Sequence, residues 1–221
     1  MRLDNDGFLI LRGLINKKDL EKIQKEVNKD FFKSNNLKEE SELNLITAHK
    51  SVKKCNVKYL SMGYENKLID REINNLANSK IKNKISELID KDLTYESGGS
   101  IITLFPEELT GYHVSYHQDE DVSDKNPNRI HVITPLTNEK LDLIQVLSST
   151  HKVGTFKHSL FGPLIKIEDE NLENHLKNEI DITLNFGDFL IFYTSLVHRV
   201  KDNINSDKSH WMLRFILKHK K

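Results

Sequence analysis

The chain has 221 residues, with 33 Lys and Arg against 33 Asp and Glu, so its formal net charge is zero. No global basic field draws it to nucleic acid or to an anionic membrane. The single Cys55 excludes an intramolecular disulfide, and the apolar run Phe8 to Leu11 is too short for a signal peptide or a membrane span, so the expected setting is the cytoplasm.

The length suits one domain over 1–221, large enough to bury about 70% of the surface its unfolded form exposes. In chain order, Asp6 to Ile15 reads as an opening strand and a turn. Asn16 then offers an N-cap, and Leu20, Ile23, Val27 and Phe31 come after it at helical spacing, which predicts a helix whose apolar face covers a sheet. The polar stretch Ser34 to Asn44 and its continuation to Lys58 carry no clear period, and a long loop of this kind is expected to border a site as a mobile cover. A second helix is predicted over about Ser79 to Asp92, with Ile81, Ile85, Leu88 and Ile89 on one face, and Gly98-Gly99 is expected to separate it from the barrel.

Beyond the glycine pair the pattern changes. Ser100–Phe105, Ile130–Leu136, Leu141–Leu147, Ile180–Asn185, Phe189–Tyr193 and Trp211–Leu217 are short, apolar or β-branched, and bounded by Gly, Pro, Asn, Asp or Ser. A short helix is predicted around Glu168 to Lys177. The expected class is mainly β with flanking helices: a helical front over 1–97 and a core over 98–221 built as a sandwich or barrel, of which the jelly roll of cupins is one variety.

His117-Gln118-Asp119 stands at the end of a further strand-like run, and His198 closes a second such run. In a strand, residues i and i+2 share a face, so His117 and Asp119 can reach one ion while Gln118 points away. Two imidazoles and one carboxylate, with no thiolate near, form the facial set that suits non-haem Fe(II) and leaves coordination positions open for chemistry. His113 is expected to line the pocket without binding metal, because Gly111 and Val114 favour a strand over the helix its spacing would need. His151 reads as a turn residue. His49, His131, His158, His175 and His219 are expected to be solvated or hydrogen-bonded.

Four segments resemble one family in the right order. Asp6 to Ile15 is similar to its opening strand, Tyr116-His117-Gln118-Asp119 to its iron motif, Ile144 to Gly154 to its strand and P-G-S-H-K turn, and Gly187-Asp188-Phe189-Leu190-Ile191-Phe192 through His198 to the strand leading to its distal histidine. The family is that of Fe(II)/2-oxoglutarate-dependent oxygenases, in its phytanoyl-CoA dioxygenase-like branch. The resemblance implies a double-stranded β-helix enzyme that uses Fe(II), 2-oxoglutarate and O2 to hydroxylate a small organic substrate, releasing succinate and CO2. It also implies that His117, Asp119 and His198 hold the iron. Because Asp119 is present where halogenating relatives carry a small residue, hydroxylation is favoured over halogenation.

The same resemblance breaks at the cosubstrate anchor. Relatives commonly place an Arg about eleven residues past the distal histidine, in an R-x-S pattern, to receive the far carboxylate of 2-oxoglutarate as a planar fork. Here the stretch reads Lys208-Ser209-His210-Trp211-Met212-Leu213-Arg214, which leaves His210 near the usual place and Arg214 beyond it. Strand alternation puts His210, Met212 and Arg214 on one face, and an inward Arg214 is a buried cation that needs an anion. The alternatives are a protein or peptide hydroxylase on the same core, a cupin-type enzyme that does not use 2-oxoglutarate, and a non-catalytic jelly-roll binding protein.

Overall fold

The computed structural model describes residues 2–34, 67–104, 115–119, 129–161, 164–201 and 208–220. The expected cover over 35–58, together with His49, Gly111, His113 and Val114, lies outside the described residues. After a short helical turn α1 (Leu3–Asp6), strand β1 (Phe8–Leu11) leads into helix α2 (Lys17–Ser34). The Asn16 side-chain oxygen accepts the Lys18 N–H at 3.0 Å, as its capping role predicts. Leu20, Ile23, Val27 and Phe31 are all fully buried. Phe31 meets Trp211 edge to face, with ring centroids 5.3 Å apart, which fastens the helix to the sheet below.

The second helical region begins earlier than its sequence period indicates. Helix α3 (Lys67–Leu76) runs through a π-helical turn (Ala77–Ile81) into α4 (Lys82–Ile89). Buried Ile69, Ile73, Ala77, Ile81 and Ile85 recur every four residues. In a pure α-helix of 3.6 residues per turn that stripe would drift around the axis; the wider π turn brings it back onto the sheet. Leu88, expected on the buried face, is exposed instead.

Strand β2 (Leu93–Leu104) starts before Gly98-Gly99, so the glycine pair lies inside a strand rather than ahead of it. Its partner β10 (His210–His219) pairs Arg214 with Ser100 and Ile216 with Glu96, so residues 97–99 stand opposite the single Phe215 as a bulge. Glycine is needed there for close approach: a Cβ on Gly99 would come within 2.5 Å of the Ile73 side chain on α3.

The remaining strands are β3 (Arg129–Pro135), β4 (Leu141–Leu147), β5 (His158–Phe161), β6 (Leu164–Ile167), β7 (Glu179–Leu184), β8 (Phe189–Tyr193) and β9 (His198–Val200). The predicted helix near 168–177 is a 3-10 helix over Glu170–Asn178. One antiparallel sheet has the order β1-β8-β3-β10-β2, a second has the order β7-β4-β9, and β5 and β6 form a hairpin. Trp211, Leu213, Phe215 and Leu217 of β10 join Leu20, Phe31, Ile73 and Ile85 in the layer between helices and sheet. Met212, Ile133, Leu190 and Phe192 face the other way, against Ile144, Val146, Ile182 and Leu184 of the smaller sheet. Two antiparallel sheets packed face to face, with helices on the outer side of the larger one, form the jelly roll expected from the sequence.

Candidate metal centre

The turn before β8 sets the approach to His198. Gly187 adopts φ of 93°, which a glycine tolerates, and the Asp188 carboxylate accepts the Asn185 N–H at 2.9 Å. Strand β8 then runs to a tight turn that delivers Val197 and His198. Fully buried Thr150 pins that turn: its hydroxyl accepts the Val197 N–H at 2.9 Å and donates to the Leu147 carbonyl at 2.7 Å. The segment around Thr150 therefore serves as a support for His198. His151 beside it turns away, stacking on Tyr193 with its Nε2 3.2 Å from the Asp4 carbonyl oxygen.

His117 meets His198 across a two-residue antiparallel bridge, in which each N–H bonds the other's carbonyl at 2.9 and 3.0 Å. Residues so paired project their side chains to the same face, and the two rings lie 4.2 Å apart. The Asp119 N–H bonds the Thr194 carbonyl at 3.0 Å, which holds the third side chain beside them. Asp119 Oδ1 is 3.7 Å from His117 Nε2, and Oδ2 is 3.4 Å from His198 Nε2. All three donor atoms fall within 4.8 Å of one another.

The donor set fits a first-row metal ion. His117 Nδ1 lies 2.8 Å from the Ser115 carbonyl and His198 Nδ1 lies 3.0 Å from the Leu196 carbonyl. A carbonyl only accepts, so both Nδ1 atoms carry a proton, which leaves the Nε2 atoms, turned toward Asp119, as the nitrogens able to bind a metal. Burial pushes the His117 pKa down to about 4, with the His198 ring acting in the same direction and Asp119 opposing. Burial alone would raise the Asp119 pKa, but His131 and His198 outweigh it and hold the group well below the usual carboxylate range. A neutral imidazole and an ionised carboxylate are the protonation states that bind metal. Donor atoms gathered this closely could hold such an ion from one side.

Gln118 does point away, as alternation requires, and it has a structural task. Its side-chain amide donates to the Gly154 and Ser195 carbonyls at 3.0 and 2.6 Å, and its side-chain oxygen accepts the Phe156 N–H at 2.9 Å. The Gln118 N–H in turn donates to His158 Nε2 at 3.3 Å. Fully buried, this side chain ties the His117–Asp119 segment to the turn before His198. Gln118→Leu should cost about 2 to 4 kcal/mol, since it leaves buried backbone groups unpaired; urea unfolding would measure the loss.

His131 on β3 belongs to the site, which its apolar sequence neighbours do not reveal. It is buried, with Nδ1 3.1 Å from Asp119 Oδ2, and burial lowers its pKa against the pull of that carboxylate. Arg214 of β10 faces the same interior: its Nη1 is 3.9 Å from Asp119 Oδ2 and its Nε donates to Ser100 Oγ at 3.3 Å. His210 lies on the same strand face, buried, opposite Leu104.

No protein-family model matches the sequence, and no curated protein matches it. Solved structures match over almost the whole chain. ThoJ, a non-heme monooxygenase, is 15% identical with a TM-score of 0.64, over 99% of this chain and 76% of its own. The epimerase SnoN, solved with Fe3+, α-ketoglutarate and nogalamycin RO, is 11% identical with a TM-score of 0.67, over 98% of this chain and 80% of its own. EctD from S. alaskensis, solved with 2-oxoglutarate and 5-hydroxyectoine, is 11% identical with a TM-score of 0.67, over 98% of this chain and 73% of its own. At such identities the likeness concerns the fold. The chain has the jelly-roll architecture of non-haem iron, 2-oxoglutarate-dependent enzymes.

Proposed function

We propose that the chain is a non-haem Fe(II)/2-oxoglutarate-dependent dioxygenase that hydroxylates a small organic substrate with release of succinate and CO2. The observation that carries this reading is the convergence of two Nε2 atoms and one carboxylate, with both Nδ1–H groups committed to backbone carbonyls. His117, Asp119 and His198 would hold the metal from one side. Bound there, Fe(II) with 2-oxoglutarate and O2 supplies the oxidising chemistry, while the protein contributes position and shielding from water.

Arg214 would receive the far carboxylate of 2-oxoglutarate. Its place on the interior face within reach of Asp119 supports this role. His210 stands four residues away, about 13 Å along the strand at about 3.3 Å per residue, with Asp142, Glu139 and Lys208 as the charges that act on it. That placement supports Arg214 over His210 as the anchor. Asp119 in the carboxylate position supports hydroxylation over halogenation.

A cytoplasmic setting without nucleic-acid or membrane partners belongs to the same reading and rests on the zero net charge and the lone Cys55. Among the described helices none is long and apolar enough to cross a membrane. The test is a metabolite screen for substrate-stimulated succinate formation with Fe(II) and ascorbate. Each active compound should yield a product heavier by one oxygen atom, which separates hydroxylation from an epimerisation of the kind named for SnoN. Stimulated turnover without succinate would count against the reading.

A further inference from the structure

We infer that His131 is a positioning residue for Asp119: its Nδ1–H holds one oxygen of the carboxylate, so that Asp119 offers a metal ion a single oxygen rather than two. The inference rests on the metal reading of His117, Asp119 and His198. Oδ2 of Asp119 lies 3.1 Å from His131 Nδ1, closer than it is to either His198 Nε2 at 3.4 Å or Arg214 Nη1 at 3.9 Å. An ionised carboxylate only accepts, so the proton in this contact sits on Nδ1. Among the described residues that buried Nδ1 makes no hydrogen bond of regular geometry, and the Asp119 carboxylate at 3.1 Å is the acceptor within its reach.

The surroundings make a mere packing role a poor account of this histidine. Its cross-strand neighbours on β8 and β10 are Phe192 and Ile216, and the Phe192 ring lies 5.4 Å away. A polar ring in such a wall costs free energy unless it gains a partner, and a leucine or phenylalanine would fill the space without that cost. Asp119 is brought to it by the backbone: the Asp119 N–H bonds the Thr194 carbonyl, and the Thr194 N–H bonds the Arg129 carbonyl at the start of β3. Groups that orient a metal ligand in this way typically change metal affinity about 10- to 100-fold when removed. A carboxylate free to rotate could chelate through both oxygens and close a position that the chemistry needs open.

The test is a Co(II) titration of the metal-free full chain, followed by visible d–d absorption, on wild type, His131→Leu, His131→Asn and Asp119→Ala. His131→Leu should weaken Co(II) binding about 10- to 100-fold and change the band intensities as the carboxylate becomes bidentate. His131→Asn, whose amide N–H can stand in for Nδ1–H, should recover most of the affinity and the wild-type spectrum. Unchanged affinity and spectrum in His131→Leu would overturn the inference, as would a folded His131→Asn with the spectrum lost. The asparagine variant decides the matter even if the leucine variant fails to fold. Should Asp119→Ala bind Co(II) like wild type, the metal reading itself falls and this inference falls with it. Loss in Asp119→Ala combined with indifference in His131→Leu removes the positioning role alone.

Discussion

Alanine at His117, Asp119 or His198 is expected to abolish Fe(II) retention and turnover while the chain stays folded. On the proposed reading each substitution would leave two protein ligands, and a facial site that relies on three would have none to spare. The fold does not depend on them: the apolar layers on both sides of the large sheet are built from other residues, Trp211, Phe215 and Leu217 on one face and Ile133, Leu190 and Met212 on the other. The backbone bridge between residues 117 and 198 uses main-chain groups and survives truncation of either ring. Iron content per chain after gel filtration, read beside circular dichroism, separates loss of metal from loss of fold. A variant that kept wild-type iron and activity would remove that residue from the site. Mn(II), Co(II) or Ni(II) should occupy the same ligands in vitro, because nitrogen and oxygen sites discriminate weakly among first-row metals.

How much of the fold is legible in the sequence depends on whether the signal is local. Strands Leu141–Leu147 and Phe189–Tyr193 are found at the bounds their turn residues mark, and helix α2 conforms to the Asn16 cap and its apolar spacing. Helix α3 escapes a reading by period because its apolar stripe stays in phase only through the π turn at Ala77–Ile81, a feature with no residue signature of its own. Gly98-Gly99 reads as a breaker because a glycine pair weakens any local preference. Its purpose, the approach of Ile73 on α3 to the bulge opposite Phe215, is visible only once helix and sheet are packed. Strands β5, β6 and β9 have three or four residues each, too few to show a period.

The site divides in the same way. His117 and Asp119 share a local i, i+2 pattern, and His198 comes after a strand with a clear start, so all three stand out in the sequence as candidates, and the structure brings their donor atoms together. His131 sits in the run Ile130-His131-Val132-Ile133, where nothing nearby distinguishes it from a tolerated core histidine. Its role comes from Thr194, which links the Asp119 backbone to the first residue of β3. That contact joins three separate stretches of chain, and no spacing rule encodes it. Gln118 is an intermediate case: alternation gives its direction, while its three side-chain hydrogen bonds depend on turns far along the chain.

Arg214→Ala is expected to raise the 2-oxoglutarate requirement by a hundredfold or more while leaving Fe(II) binding nearly intact. Strand alternation places Arg214 on the interior face with Met212, and its side chain is only 21% exposed, with Ser100 Oγ and the Asp119 carboxylate as polar contacts among the described residues. At 3.9 Å the contact with Asp119 is too long for a strong hydrogen bond, so the guanidinium retains donors for an incoming carboxylate. Removing one partner of a buried charge pair costs about 3 to 5 kcal/mol, because the other charge stays desolvated and unmatched. The effect should fall on cosubstrate affinity, since Arg214 lies outside the His117, Asp119 and His198 set proposed to hold the metal. Arg214→Lys should rescue only part of the loss: an ammonium supplies charge but not the planar two-pronged contact. His210→Ala is the control, occupying the place nearer the anchor position expected from the family resemblance yet lying about 13 Å farther along β10. If His210→Ala abolished 2-oxoglutarate binding and Arg214→Ala impaired only substrate binding, the anchor would be His210. Arg214 would then receive an anionic group of the substrate itself, narrowing that substrate to carboxylates, phosphates or sulfonates.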